Sequence, residues 1–164
     1  MTARGVLYVH SSPPALCPHV EWAASGVLGV RVSLDWTPQS ASPGTMRAEV
    51  CWEGRPGTAA LIASAMRGWD RVRYEVTEDP SEDCDGSRFM WTPTLGMFAG
   101  VTGVEGDILV SEHRLRAAVV AASDGRTTLQ REVDRLLGTP WDEELEPFRY
   151  AGEGAPVRWL HAAM

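Results

Sequence analysis

Apolar and polar residues alternate over three stretches of this chain, and a period of two is the mark of a half-buried strand. In residues 30–36, Val30, Val32, Leu34 and Trp36 point one way while Arg31, Ser33 and Asp35 point the other. In 46–52 the apolar set is Met46, Ala48, Val50 and Trp52, against Arg47, Glu49 and Cys51. In 71–77 it is Val72, Tyr74 and Val76, against Arg71, Arg73, Glu75 and Thr77. Residues 5–9 differ, because Val6, Leu7, Tyr8 and Val9 are all apolar. A strand apolar on both faces suits a central position.

Two helices are expected between these strands. Residues 14–28 follow Ser11 and Ser12, which can cap exposed amides, and place Val20, Ala23, Ala24 and Val27 at helical spacing. Residues 57–68 have Thr58 as a cap and Leu61, Ile62, Ala65 and Met66 on one face. Residues 37–44, rich in Pro, Ser and Gly, read as a flexible hairpin loop. The resulting order is strand, helix, strand, strand, helix, strand. That is the ferredoxin-like βαββαβ arrangement of an α+β protein, whose first strand is central.

Residues 79–88 read as an acidic surface loop. Short strands are expected at 89–92, 97–102 and 107–110, the last two joined by a turn at 103–106. Three helices follow. The first starts at Ser111 and buries Leu115, Ala118, Val119 and Ala122; the second is capped by Thr127 with Gln130 and buries Leu129, Val133, Leu136 and Leu137. Gly138 ends that helix, and Thr139, Pro140 and Asp142 open a third, which carries Trp141, Leu145 and Phe148. The tail after residue 152 is apolar enough to dock. The 164 residues thus divide into a ferredoxin-like unit, 1–80, and a hairpin with a helical extension, 81–164, as one cooperative domain.

Composition narrows the function classes. The net charge is −7 and there is no Lys; the arginines are scattered, as codon drift in a GC-rich genome produces. An acidic chain without a basic stripe is a poor nucleic-acid binder, because phosphate neutralisation supplies most of that affinity. No apolar run approaches the roughly 20 residues of a membrane span, and no signal peptide is read, so a cytoplasmic protein is expected. Cys17, Cys51 and Cys84 form neither a disulfide framework nor a zinc motif, and no metal or cofactor is expected. No P-loop, GxGxxG, HExxH or GxSxG is present.

The segments GVLYVHSSPPALCPHVEWA, SLDWTPQ, GTAALIASAMRGW, CDGSRFM, GDILVSEHRLR and GTPWDEELEPFRYAGEGAPVRWLH, spread over residues 5–161, resemble the family called domain of unknown function 3145. The resemblance implies a small cytosolic protein of GC-rich actinobacteria, encoded near genes of fatty-acid synthesis. It brings no established activity, ligand or catalytic residue.

The ferredoxin-like order brings one edge of the sheet together. His10, Ser11, Ser12, Cys17, His19, Asp35, Trp36, Trp69 and Asp70 are expected there. A helix start offers free amides and partial positive charge, so a small anionic ligand could sit among them. The plainer reading is that the serines cap the helix and His10 bonds the backbone. Cys17 beside His10 or His19 could act as a nucleophile, or simply pack in the core. Most of the seven tryptophans are expected in the core. Trp141 and Trp159 are candidates for a surface that binds a protein partner or a second copy. The acidic run Asp142, Glu143, Glu144 and Glu146 reads as a solvated helix face. Two function classes follow. The favoured one is a non-catalytic module that binds a small ligand or a protein, in an accessory or regulatory role. The alternative is a small enzyme using His10, Cys17 and His19.

Overall fold

The computed structural model describes residues 1–151. Seven strands form one sheet: β1 (Ala3–Ser12), β2 (Thr37–Pro38), β3 (Met46–Gly54), β4 (Arg73–Glu78), β5 (Gly86–Thr92), β6 (Gly96–Thr102) and β7 (Ile108–Leu109). Their order is β2-β3-β1-β4-β5-β6-β7, and every neighbouring pair is antiparallel. Five α-helices accompany them among the described residues: α1 (Cys17–Leu28), α2 (Thr58–Ala65), α3 (Glu112–Ser123), α4 (Leu129–Leu137) and α5 (Thr139–Tyr150). The strand that carries the apolar run of residues 6–9 lies inside the sheet, between β3 and β4. The hairpin strands β5 and β6 extend the same sheet.

One face of the sheet packs against α1 and α2. Leu7 and Val9 of β1, Ala48 and Trp52 of β3, and Tyr74 and Val76 of β4 meet Val20, Ala24, Ile62 and Met66 there. Tyr74 satisfies its buried hydroxyl by donating to the Ala63 carbonyl at 2.9 Å. A smaller core on the other face joins Met90 and Phe98 to Trp141 and Leu145 of α5. None of the helices among the described residues is long and apolar enough to cross a membrane.

Residues 30–36 depart from their pattern. They alternate, yet only Thr37 and Pro38 pair with β3. The cause lies in α1. Ser25 Oγ accepts the Val32 amide at 2.8 Å, and Glu21 Oε1 accepts the Leu34 amide at 2.9 Å and the Trp36 indole at 3.0 Å. Helix side chains thus take the donors that a strand would have offered to β3. The loop reading of 37–44 also changes, because it contains β2 and the fully buried Gln39.

The helix ends differ in detail. Neither Ser11 nor Ser12 caps α1, because β1 runs through both and a 3-10 turn, Pro14–Leu16, intervenes. Gly57 rather than Thr58 caps α2, with φ of 89°. The carboxylate of Glu78 reaches across from β4 and accepts the Gly57 amide at 2.8 Å and the Ala59 amide at 3.0 Å. It satisfies the helix start as a capping side chain would. The buried face of α2 is Ala59, Ile62, Ala63 and Met66, while Leu61 and Ala65 face outward. Thr128, one residue after the expected position, caps α4. Of the expected α3 face only Ala118 is buried; Leu115 and Val119 are exposed, and the main packing partner of α3 is α4.

Candidate functional site

The second face of the sheet carries the most unusual chemistry. Side chains alternate along a strand. Leu7 and Val9 enter the core under α1 and α2, so Val6, Tyr8 and His10 take the other side. At His10 the register of β1 slips against both neighbours: Val9 faces Ala48 and Tyr74, then Ser12 faces Met46 and Ser11 faces Arg73. Such a bulge re-aims a side chain. Here it sends the buried His10 ring onto Glu75 of β4, which is completely buried.

Glu75 is the hub of an ion-pair cluster. Its Oε1 accepts from Arg149 Nη2 at 2.7 Å and Arg88 Nη2 at 3.1 Å. Its Oε2 accepts from Arg149 Nε at 3.1 Å and from His10 Nε2. An ionised carboxylate only accepts, so the bonded His10 nitrogen carries the proton. Asp142 Oδ1 bridges the two arginines, at 2.6 Å from Arg88 and 2.8 Å from Arg149. Burial by itself would push the Glu75 carboxyl up. His10, then Arg149 and Arg88, outweigh that and hold it at about 2. A carboxylate offers about four acceptor sites, and these partners fill them.

The cluster fastens α5 across the sheet. Gln39 Nε2 donates to the His10 carbonyl at the bulge, 2.7 Å, and to the Phe148 carbonyl, 3.1 Å. The guanidinium of Arg73 lies 4.7 Å over the Phe148 ring. Three members of the acidic run turn toward arginines or a hydroxyl: Asp142 as described, Glu146 to Arg149 at 3.3 Å, and Glu144 to Thr92 at 3.0 Å. Their expected solvated face is therefore mostly engaged.

Beyond α5 the same face is open. A groove of about 290 Å³ is lined by Val6 and Tyr8 of β1, Thr77 of β4, Arg88 of β5, Thr102 of β6 and Pro80 of the following loop. Tyr8 stacks parallel to His10, with centroids 6.1 Å apart. The ion cluster thus borders a groove whose lining combines an aromatic ring, hydroxyls, the acidic Glu78 and Asp79, and Arg88, whose guanidinium is held by Glu75 and Asp142.

The structure separates the residues expected along the sheet edge. His10 faces Glu75 on the second face, while Cys17 and Ser12 lie at the α1 end, with Sγ 3.9 Å from Ser12 Oγ and 3.6 Å from the Pro13 carbonyl. Ser11 and Ser12 are buried, and Ser11 Oγ accepts from Arg73 at 3.4 Å. His19 is exposed and meets the Trp22 ring edge-on at 5.0 Å. Asp35 and Asp70 are exposed; Trp36 and Trp69 are half-buried against the main core. Burial raises the Cys17 thiol above its ordinary value, with Ser12 opposing. Trp141 is buried rather than at the surface, packing on Phe98 and donating its indole to the Gly96 carbonyl at 3.0 Å. Trp159 lies outside the described residues, as does the expected docking tail. Among the described residues, no group of three or more His, Cys, Asp or Glu side chains is placed to hold a metal ion.

Glu75, Arg88, Arg149 and Gln39 escaped the sequence reading. The alternation put Glu75 on the polar side of its strand, and only the packing of α5 makes that side buried. A strand glutamate framed by Tyr74 and Val76, with a helix carrying Asp142 and Arg149 downstream, is the faint signal that was available.

A model of the family described as protein of unknown function (DUF3145) matches residues 6–162, nearly the whole chain. This chain belongs to that family. No curated protein and no solved structure matches it. The DUF3145 fold is therefore described by its own geometry: a mixed α+β protein around a seven-stranded antiparallel sheet. Its biochemical function is not established.

Proposed function

We propose that this DUF3145 chain is a non-catalytic binding module, with the groove beside Tyr8 and Arg88 as the place where a small ligand is held. The observation that carries this reading is the saturation of Glu75. The most perturbed acid on this face has every acceptor site filled by His10, Arg88 and Arg149, so it positions the groove wall and has no lone pair left for a substrate proton. The open groove then offers shape and polar contacts on a fixed base.

The enzyme reading rests on Cys17 with a histidine base. Against it stand the buried, raised thiol and the two histidines, one turned to Glu75 and the other beside Trp22. The start of α1 stays a second anion-binding reading for one reason: no side chain caps it, and the exposed His19 stands on its first turn. In the same spirit we read the first six elements as ferredoxin-like, supported by the β2-β3-β1-β4 order and with a second strand cut to two residues. The family resemblance supports a cytoplasmic, actinobacterial accessory role in acyl metabolism, and the net charge of −7 supports partners other than nucleic acid.

Amide chemical-shift mapping with inorganic phosphate, adenosine monophosphate, acetate and octanoate tests the assignment. Shifts clustering at Tyr8, Thr77, Ser87 and Thr102 support the groove. Shifts clustering at residues 17–20 instead move the ligand to the helix start and contradict it.

A further inference from the structure

We propose that the outer edge of β3 is a docking site for an extended, basic segment of a partner protein, which adds a strand to the sheet. This surface is separate from the groove and does not depend on it. β2 pairs only with Met46 and Arg47, so β3 continues to Gly54 with no strand beyond it among the described residues. The chain that would have covered this edge, residues 30–36, is tied to α1 through Ser25 and Glu21. None of the backbone hydrogen bonds among the described residues joins it to β3.

The backbone direction along β3 follows from its neighbours. Hydrogen-bonded pairs alternate in an antiparallel ladder. The Gln39 amide donates to the Thr45 carbonyl at 2.9 Å, and Thr37 pairs with Arg47. The next outward residues in that series are Glu49, Cys51 and Glu53, while Ala48, Val50 and Trp52 turn to β1. The far side agrees: the Arg4 carbonyl, on the residue opposite Glu53, points away to the Asp79 amide at 2.8 Å. Glu49, Cys51 and Glu53 are also the exposed residues of this stretch. They combine outward amide and carbonyl groups with accessible side chains. That is the template for strand addition.

Charge selects the occupant. Glu49 and Glu53 stand on the same face, four residues apart, on either side of the small Cys51. Exposed Arg4 reaches Glu53 at 2.9 Å, which shows that this row accepts guanidinium groups. A second copy is a poor occupant. Antiparallel self-pairing about Cys51 would set Glu49 opposite Glu53, and like charges directly opposed destabilise a pair. The fitting strand carries Arg or Lys at two positions four apart, with a small or apolar residue midway. The −7 net charge draws such a segment in.

The test uses the full chain and an acetylated, amidated probe peptide, Ser-Thr-Arg-Thr-Val-Thr-Arg-Thr-Ser. We expect saturable binding that weakens with salt. Amide hydrogen exchange at Glu49, Cys51 and Glu53 should slow at least about tenfold, while Ala48, Val50 and Trp52 stay unchanged. Reversing both charges, Glu49→Arg with Glu53→Arg, should weaken binding at least about tenfold. Because both side chains are exposed, unchanged exchange at Ala48, Val50 and Trp52 verifies that this variant is folded. No saturable binding up to about millimolar peptide overturns the proposal, as does binding that leaves the amides of Glu49, Cys51 and Glu53 unprotected. A peptide-free dimer protected at the same amides would assign the edge to a second copy and equally overturn it.

Discussion

Arg149, near the end of α5, grips Glu75, in the middle of the sheet, with two parallel hydrogen bonds: Nη2 to Oε1 at 2.7 Å and Nε to Oε2 at 3.1 Å. This fork-to-fork geometry is the strongest form of the contact. It fixes how α5 lies over the second face and therefore where the groove begins. Burial alone would disfavour the Arg149 charge, and Glu75 and then Asp142 more than restore it.

Removing the hub charge should be costly. Glu75→Gln leaves the buried Arg149 guanidinium and the partly buried Arg88 guanidinium facing a neutral amide, and breaking a buried ion pair costs about 3–5 kcal/mol. Urea unfolding of this variant should show that loss. Glu53→Gln, which disrupts only the exposed pair with Arg4, should leave the midpoint almost where it was.

Stability should depend on pH through the same carboxylate. Glu75 is held at about 2 in the folded chain, below the ordinary glutamate value of about 4.3. Its contribution is therefore fully present above about pH 4.3 and fades as pH falls toward 2. Unfolding free energy measured from pH 5 downward should fall more steeply in the wild type than in Glu75→Gln. Parallel slopes would mean that another group carries the acid sensitivity.

Gln39 ties the His10 bulge to the end of α5. Gln39→Ala leaves the His10 carbonyl without its side-chain donor, and an unpaired buried group costs about 1–3 kcal/mol. The loss should appear with faster amide exchange in the last turn of α5, leaving α2 unaffected.

Much of this architecture is legible in the sequence, and the failures have physical causes. The run from Val6 to Val9 announced an interior strand, and Val72, Tyr74 and Val76 announced a buried face, because hydrophobic pattern reports burial directly. Residues 30–36 carried an equally good alternation. Glu21 and Ser25 captured their donors, and period alone cannot anticipate competition from a neighbouring helix. The site was less legible still. Glu75 and Arg149 are polar residues in polar positions until α5 closes over them, and that closure is a tertiary event. Exposure along α3 misled for the converse reason: its apolar stripe predicted burial in the core, whereas its main packing partner is α4.

Gly138 turns the chain from α4 into α5 with φ of 82°, and a Cβ there would lie 2.7 Å from Met90 Cε. The left-handed backbone strains any side chain there, and Met90 and Phe98 would have to shift to admit one. Gly138→Ala should lose more than about 1 kcal/mol of stability in thermal or urea unfolding.

Alkylation of the three thiols tests most directly whether this chain is a binding module rather than an enzyme. Iodoacetamide labelling near neutral pH, followed by peptide mass spectrometry, gives a rate for Cys17, Cys51 and Cys84 in one experiment. Cys51 and Cys84 are exposed, and Cys17 is buried with its thiol raised. The account predicts that Cys17 reacts well behind the other two. A Cys17 that labels far ahead of them would mark an activated nucleophile at the start of α1 and contradict the non-catalytic reading.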